Sequence, residues 1–386
     1  MPFSIAPLLM GGGIRMDVIY SIGAKLAGGG IGDTAYHAVR GINRHGYLKR
    51  VICWGYKKGI EIPDQSIRTL PPPPPKPPLF PLCHYYYITN NLFDLMAKIS
   101  IKECDVFYGW AGMQLFQLRK AKEFGAVTVS SGASSHILNQ TKLLEEEFRR
   151  FGINKTVQNP YLIKKHLKEF EECDYITAAS EFVKESFIRY GIDKDKLVII
   201  PFGVDVKKFE FEKEESDKFI VLFVGQVCLR KGVQYLLKAW KELNLKNSEL
   251  RVCGKITPEF EMFVKKYKND NVKFLGFVKD VLEEYKKASV FCFPSIEEGS
   301  ALVTYEAMAA GLPLIVTYNS GSVARDGKDG FIIPIRDVKA LKEKILYFYE
   351  NPEEVRRRGR NARKHVEKYT WERYGERLVK FFESIV

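Results

Sequence analysis

From Met16 onward, the 386-residue chain alternates short apolar runs of strand length with longer amphipathic runs of helical period, in two series separated by one charged interruption. Apolar runs without alternation suit strands buried on both faces, and a parallel strand rejoins its sheet only through a crossover, usually a helix. The expected class is therefore α/β, with two doubly wound, Rossmann-like domains facing a cleft. Strands are expected at 16–22, 49–54, 105–110, 126–131, 175–180 and 197–201. A second set is expected at 219–224, 250–253, 272–277, 289–293, 312–317 and 330–333. The interruption "VDVKKFEFEKEESDKF" (204–219) sets domains of 1–206 and 207–370, with a final segment 371–386. Two domains also suit the length, since a single core rarely grows past about 250–300 residues.

Two stretches and the scattered cysteines are set aside from the site. "LPPPPPKPPLFPL" cannot donate to a sheet ladder and reads as a stiff surface connection. "MPFSIAPLLMGGGIR", residues 1–15, precedes the first convincing strand, which starts at a second methionine, Met16; the segment reads as a poorly ordered tail or a mistaken start. The seven cysteines include no C-x-x-C pair, and three of them sit in strand-like runs, so buried thiols in a reducing cytoplasm are expected. No metal site is readable from the scattered histidines.

The net charge of +13 is spread out: residues 1–206 hold 26 Lys+Arg against 20 Asp+Glu, and the remainder 34 against 27. Without a basic stripe or a nucleic-acid motif, this basicity points to phosphorylated ligands or an anionic membrane surface, the latter as a peripheral contact at the inner face. No apolar run is long enough to span a bilayer.

Four loops at strand ends carry candidate chemistry. In "SIEEGSALVTYEAMAAGLPLIV" (295–316), seven residues separate Glu298 from Glu306, and the backbone N–H groups of Ser300, Ala301 and Leu302 start a helix. A diphosphate favours such a start, so a ligand with hydroxyls on either side of a diphosphate fits this spacing. An ordinary loop acid and an exposed helix acid fit it as well. In "FIVLFVGQVCLRKGVQYLLKAW", Gly225 ends a strand, and Arg230 and Lys231 open a helix against its dipole unless an anion binds there; chance placement in a Lys-rich chain is the alternative. "SIGAKLAGGGIGDTAYHAVRG" holds Gly30 and Gly32, which allow close approach to a ligand or a merely tight turn. It has no G-x-G-x-x-G register, which disfavours a nicotinamide cofactor. "VTVSSGASSHILNQ" offers His136 as a cleft histidine near an acceptor, or as the cap of the next helix.

Taken together, E-x7-E with "EAMAAGLPLI", "VIIPFGVDVKKF", "VLFVGQVCLRKG", "FLGFV" and "YTWERYGERL" resemble the retaining GT-B glycosyltransferases of family 4 over residues 16–386. The resemblance implies a nucleotide-diphosphate sugar donor bound by the C-terminal domain, an acceptor (sugar, glycan or lipid-linked) bound by the N-terminal domain, and transfer with retention. It also implies no metal or other cofactor, and a last helix that crosses back. Arg230 or Lys231 would meet the diphosphate, Glu298 the sugar hydroxyls, Glu306 the ribose and the backbone near Val278 the base. Glu297 is read with Glu298 as a sugar contact. This chain departs from the family pattern in Gly225-Gln226 for G-R, in Glu298-Gly299-Ser300-Ala301-Leu302 for E-G-F-G-L, and in lacking the histidine directly after "VTVSS". A phosphorylase, a sugar-nucleotide epimerase and a non-catalytic sugar-nucleotide-binding subunit are the alternatives.

Overall fold

The computed structural model describes residues 15–210 and 217–386. The first sheet holds β1 (Val18–Leu26), β2 (Leu48–Tyr56), β3 (Ile67–Thr69), β4 (Val106–Trp110), β5 (Val127–Gly132), β6 (Tyr175–Ala178) and β7 (Leu197–Ile199), in the order 3-2-1-4-5-6-7. The second holds β8 (Phe219–Val224), β9 (Ser248–Cys253), β10 (Val272–Gly276), β11 (Val290–Phe293), β12 (Leu314–Thr317) and β13 (Gly330–Ile333), in the order 10-9-8-11-12-13. All neighbouring strands are parallel. The central strands are apolar on both faces: Val18, Ile19, Val106 and Phe107 in one sheet, and Val221, Leu222, Val290 and Phe291 in the other, are fully buried. Each such side chain contributes about 1.5–3 kcal/mol.

Strand order reverses between β1 and β4 and again between β8 and β11, which opens a crevice beyond the carboxyl ends of both pairs. The expected strands are present with small shifts at their ends. β1 runs on to Leu26, past the expected end at 22, because it stays paired with β2 as far as Leu26↔Tyr56 across a register shift. β3 is an addition, a three-residue edge strand too short to leave a periodic signal. The proline run has no helix or strand over 70–77, and its Pro74 carbonyl accepts from Tyr85 Oη at 2.8 Å. The expected tail (all but Arg15) and positions 211–216 of the charged interruption lie outside the described residues.

The chain passes between the two units twice, and the passages run side by side. Val204 pairs in parallel with Thr370, and its N–H donates to Tyr369 O at 2.9 Å. A Cβ on Gly203 would lie 2.5 Å from the Thr370 carbonyl carbon, so only glycine lets the passages come this close. The last helix, Trp371–Ile385, then packs on the helix Ile31–Arg44 of the seven-stranded unit. Trp371 stacks on His37 at 4.0 Å, Arg40 Nη1 sits 3.3 Å from Glu372 Oε1, and Gly41 faces Gly375.

A Cβ at Gly375 would lie 2.8 Å from Gly41 Cα, inside normal contact. Gly375→Val should therefore cost about 1–3 kcal/mol through overpacking. A urea melt should show an earlier midpoint; an unchanged midpoint would mean that the helices do not cross this tightly.

Candidate active site

The loops after β8 and β11 meet at the crevice because glycines let them touch. Gly232 (φ 70°) ends the 3-10 turn Leu229–Lys231 and starts the helix Val233–Leu243, and a Cβ there would collide with the Pro294 carbonyl. Backbone bonds then lock the second loop in place. Ile296 N donates to Arg230 O at 2.8 Å, Glu298 N to Asn319 O at 3.0 Å, and Ala301 N to Ser320 O at 3.0 Å.

Four charges converge on this junction. Arg230 Nη2 lies 3.0 Å from Glu297 Oε2 and 3.8 Å from Glu298 Oε2, its Nε donates to Glu297 O at 2.9 Å, and Lys231 Nζ donates to Glu298 Oε1. The anion demanded by two cations at a helix start is thus supplied by the protein's own carboxylates. Burial works to raise the pKa of Glu298, but Lys231 and Arg230 outweigh it and hold the carboxyl below its usual range. Burial likewise opposes the charge on Arg230, and Glu298 and Glu297 overcome it. The cluster is formally neutral: any anion arriving here would have to compete with Glu298 for Lys231.

Three expectations change at this point. Glu297 does not face a sugar. It is fully buried, and its Oε1 accepts from Ser135 N (3.1 Å) and Ser135 Oγ (2.8 Å) while Oε2 accepts from Gln140 Nε2 (3.1 Å), all from the seven-stranded unit. The N–H of Ala301 is already satisfied by Ser320, and Ser300 Oγ is held 2.8 Å from both Tyr305 Oη and Gly321 O, so this helix start keeps less for a phosphate than the sequence implied. Leu302 opens the helix Leu302–Ala309, half-buried.

His136 also belongs to the scaffold. It is the N-cap of the helix Ile137–Arg150: its Nδ1 accepts from Leu138 N at 3.3 Å and its ring stacks on Tyr190 at 4.8 Å, leaving 1% exposed. This is the capping alternative, and burial pushes its pKa down to about 4.

Glu306, the fifth residue of its helix, accepts from Tyr285 Oη at 3.0 Å, and burial raises its pKa against that bond and the nearby Lys208. Gly225 and Val278 line one cavity of about 320 Å³ with Gln226, Lys255, Phe277 and Val281, beyond the ends of β8, β9 and β10. Phe277, which the sequence reading passed over, is 82% exposed there. In the glycine loop, Gly29 N donates to Asp33 Oδ1 at 3.0 Å and Gly30 (φ 55°) is the N-cap of the first helix. Gly32 has no room for a Cβ beside Lys25 O, so Gly30 faces open space and Gly32 serves the turn itself. Among the described residues no group of three or more His, Cys, Asp or Glu is placed to hold a metal, and the cysteines are buried and unpaired.

Two family models divide the chain between them: Glycosyltransferase Family 4 over residues 28–208 and Glycosyl transferases group 1 over residues 205–365. The chain belongs to the group 1 glycosyltransferases and has the GT-B fold. It is similar to a capsular polysaccharide biosynthesis glycosyltransferase, CapM, of Staphylococcus aureus, 31% identical over 50% of this chain and 56% of the relative. The chain thus spans little more than half the length of that relative. Among solved structures, sucrose-phosphate synthase from Thermosynechococcus elongatus superposes with a TM-score of 0.72 at 19% identity, over 96% of this chain and 99% of that one. HepE of Anabaena, in complex with UDP and glucose, gives 0.66 at 15% over 96% and 100%. These likenesses are of fold. Within this family member the charge cluster sits where the two matched segments face each other.

An unfolded histidine protonates near pH 6.5 and His136 only near 4, so unfolding takes up a proton between those values and stability falls as pH drops through that window. The slope is about 1.4 kcal/mol per pH unit. His37 (about 4) and His166 (about 3) act in the same direction. His136→Asn, which retains a capping acceptor, should melt lower at pH 7.5 yet lose less on acidification to pH 4. Equal losses in both proteins would show that the ring is not held neutral.

Proposed function

We propose that this chain transfers a hexosyl group from a nucleotide-diphosphate sugar to an acceptor hydroxyl with retention of anomeric configuration. The observation that carries the reading is the pair Arg230 and Lys231, set against Glu298 at a strand-order reversal, in a unit that also holds the cavity of about 320 Å³ beyond β8, β9 and β10. In this reading the base enters the cavity by Val278 and against Phe277, and Gly225 lets the nucleotide pass close to the backbone. Glu306 takes the ribose hydroxyls. Lys231 exchanges Glu298 for the diphosphate, which frees Glu298 to receive the sugar hydroxyls. Arg230 and Lys231 then stabilise the charge that grows on the departing phosphate. Retention follows from a front-face route in which that phosphate accepts the acceptor proton, so the protein's task is placement and charge, with Glu298 no nucleophile. Because Arg230 and Lys231 supply the positive charge, no metal or cofactor is assigned, and turnover should survive EDTA. The acceptor is taken to be a sugar, a glycan or a lipid-linked sugar, and the polysaccharide in the name of the Staphylococcus relative supports the glycan.

The protein is placed in the cytoplasm in this reading, working against the inner face of a membrane, and one surface feature supports the membrane contact. Among the described residues, no helix is long and apolar enough to cross a membrane. The helix Leu82–Lys98 exposes Ile88, Leu92 and Leu95, with Ile99 just beyond it, on one stripe at spacings of four, three and four residues, and its one acid, Asp94, is buried against Lys165. Ile88→Ser with Leu95→Ser should reduce co-sedimentation with vesicles containing phosphatidylglycerol; equal recovery would remove this placement.

The donor site is tested by calorimetry with UDP, GDP and ADP. Arg230→Ala with Lys231→Ala should cost several kcal/mol of affinity for the preferred diphosphate, at about 1.5–3 kcal/mol for each charged hydrogen bond. Glu298→Gln should tighten binding of that free diphosphate by releasing Lys231, while abolishing turnover of its sugar. Glu306→Gln should weaken both. Unchanged affinity in the double alanine variant would sink the donor assignment, and inversion seen by NMR of the product would sink retention.

A further inference from the structure

The helix Ile137–Arg150 belongs to the seven-stranded unit, yet one of its faces is satisfied by the other. Gln140, Leu143 and Glu147, spaced by three and four residues, share that face. Gln140 Nε2 donates to Glu297 (3.1 Å), which holds Arg230 through its carboxylate (3.0 Å) and its carbonyl (2.9 Å). Two turns on, Glu147 Oε1 accepts from Gln234 Nε2 (2.8 Å) and Tyr235 Oη (2.7 Å), and Gln234 Nε2 also donates to Leu229 O (2.9 Å). Leu229, Arg230 and Lys231 form a single turn. The helix therefore reaches that turn from two directions, each time through a carboxylate.

Both carboxylates draw hydrogen-bond donors from across the interface. Glu297 (0% exposed) extends from the six-stranded unit to Ser135 and Gln140; Glu147 (1% exposed) extends the other way, to Gln234, Tyr235 and the guanidinium of Arg336, whose Nε is 2.6 Å from Oε2. Arg336 also donates to Leu143 O (3.1 Å) and has φ 65°, a conformation that costs a non-glycine residue energy and persists only where its surroundings enforce it. Buried carboxylates are tolerated only with their donors in place, so neither pairing survives separation of the units. The Arg230 guanidinium is engaged along its Nε and Nη2 edge, which turns Nη1 to the other side.

We propose that Glu297 and Glu147 are positioning residues that couple the approach of the two units to the placement of Arg230 and Lys231 on the donor diphosphate. The coupling rests on the donor site proposed above. By linkage it is reciprocal: a diphosphate that uses Arg230 in its held position also favours contact between the units.

The intact chain is titrated with UDP, GDP and ADP, and the tightest of the three serves as the probe. Glu147→Gln and the milder Ser135→Ala, both placed off the ligand, should each weaken the probe, the former about tenfold. The same changes made on Arg230→Ala should have little further effect. The probe should also slow amide hydrogen exchange over 135–147 in the unaltered chain, and less so in Glu147→Gln. A purely structural role would lower the melting temperature but leave probe affinity unchanged, or leave the losses additive with Arg230→Ala; either result overturns the coupling. If Arg230→Ala abolishes binding while Glu147→Gln and Ser135→Ala bind like the parent, the donor site stands and the coupling falls. If none of the three diphosphates binds the unaltered chain, both fall.

Discussion

Two positive and two negative side chains, packed where the loops after β8 and β11 meet, set the terms for the rest of the molecule. Arg230 and Lys231 are tolerable at a helix start because Glu297 and Glu298 face them, and Glu297 is tolerable in a fully buried position because Arg230 pairs with it and Ser135 and Gln140 reach it from the other unit. The glycines follow from the same crowding. Gly232 lets one loop lie on Pro294, and Gly299 fits beneath the Ala133 carbonyl with no room for a Cβ. A bound anion would enter a site already balanced in charge, so its affinity is the difference between two sets of ion pairs rather than the sum of one.

How legible this was in the sequence depended on how local each signal is. Strand positions and the reversal loops came from hydrophobic period and glycine placement, properties of a single segment. Glu298, Arg230 and Lys231 stood out because each violates a local rule. Glu297 was misread because a buried carboxylate and a solvated one look alike in a chain, and its partners lie 157 to 162 residues away. Glu147 and Gln234 gave no signal at all: both sit in ordinary helical patterns, and only tertiary packing puts them face to face. His136 was legible as one of two alternatives, and the cap is the one the helix geometry uses.

The carboxylates also differ in what they ask of their surroundings. Glu298 is held ionised by adjacent cations, whereas Glu306 has one tyrosine hydroxyl and the charge of Lys208 against its burial. One is poised to exchange partners and the other to gain them, which suits two positions along one extended ligand.

The paired passages between the units bear on how the cleft is assembled. With Val204 bonded to Thr370 and Gly203 pressed on the same residue, the two crossings form one seam rather than two separate tethers. Bodies joined along a seam turn about a single axis, as a door does. Bringing the cation turn to the helix Ile137–Arg150 then fixes little more than one angle, where two bodies on a loose linker would have to give up translation and three rotations.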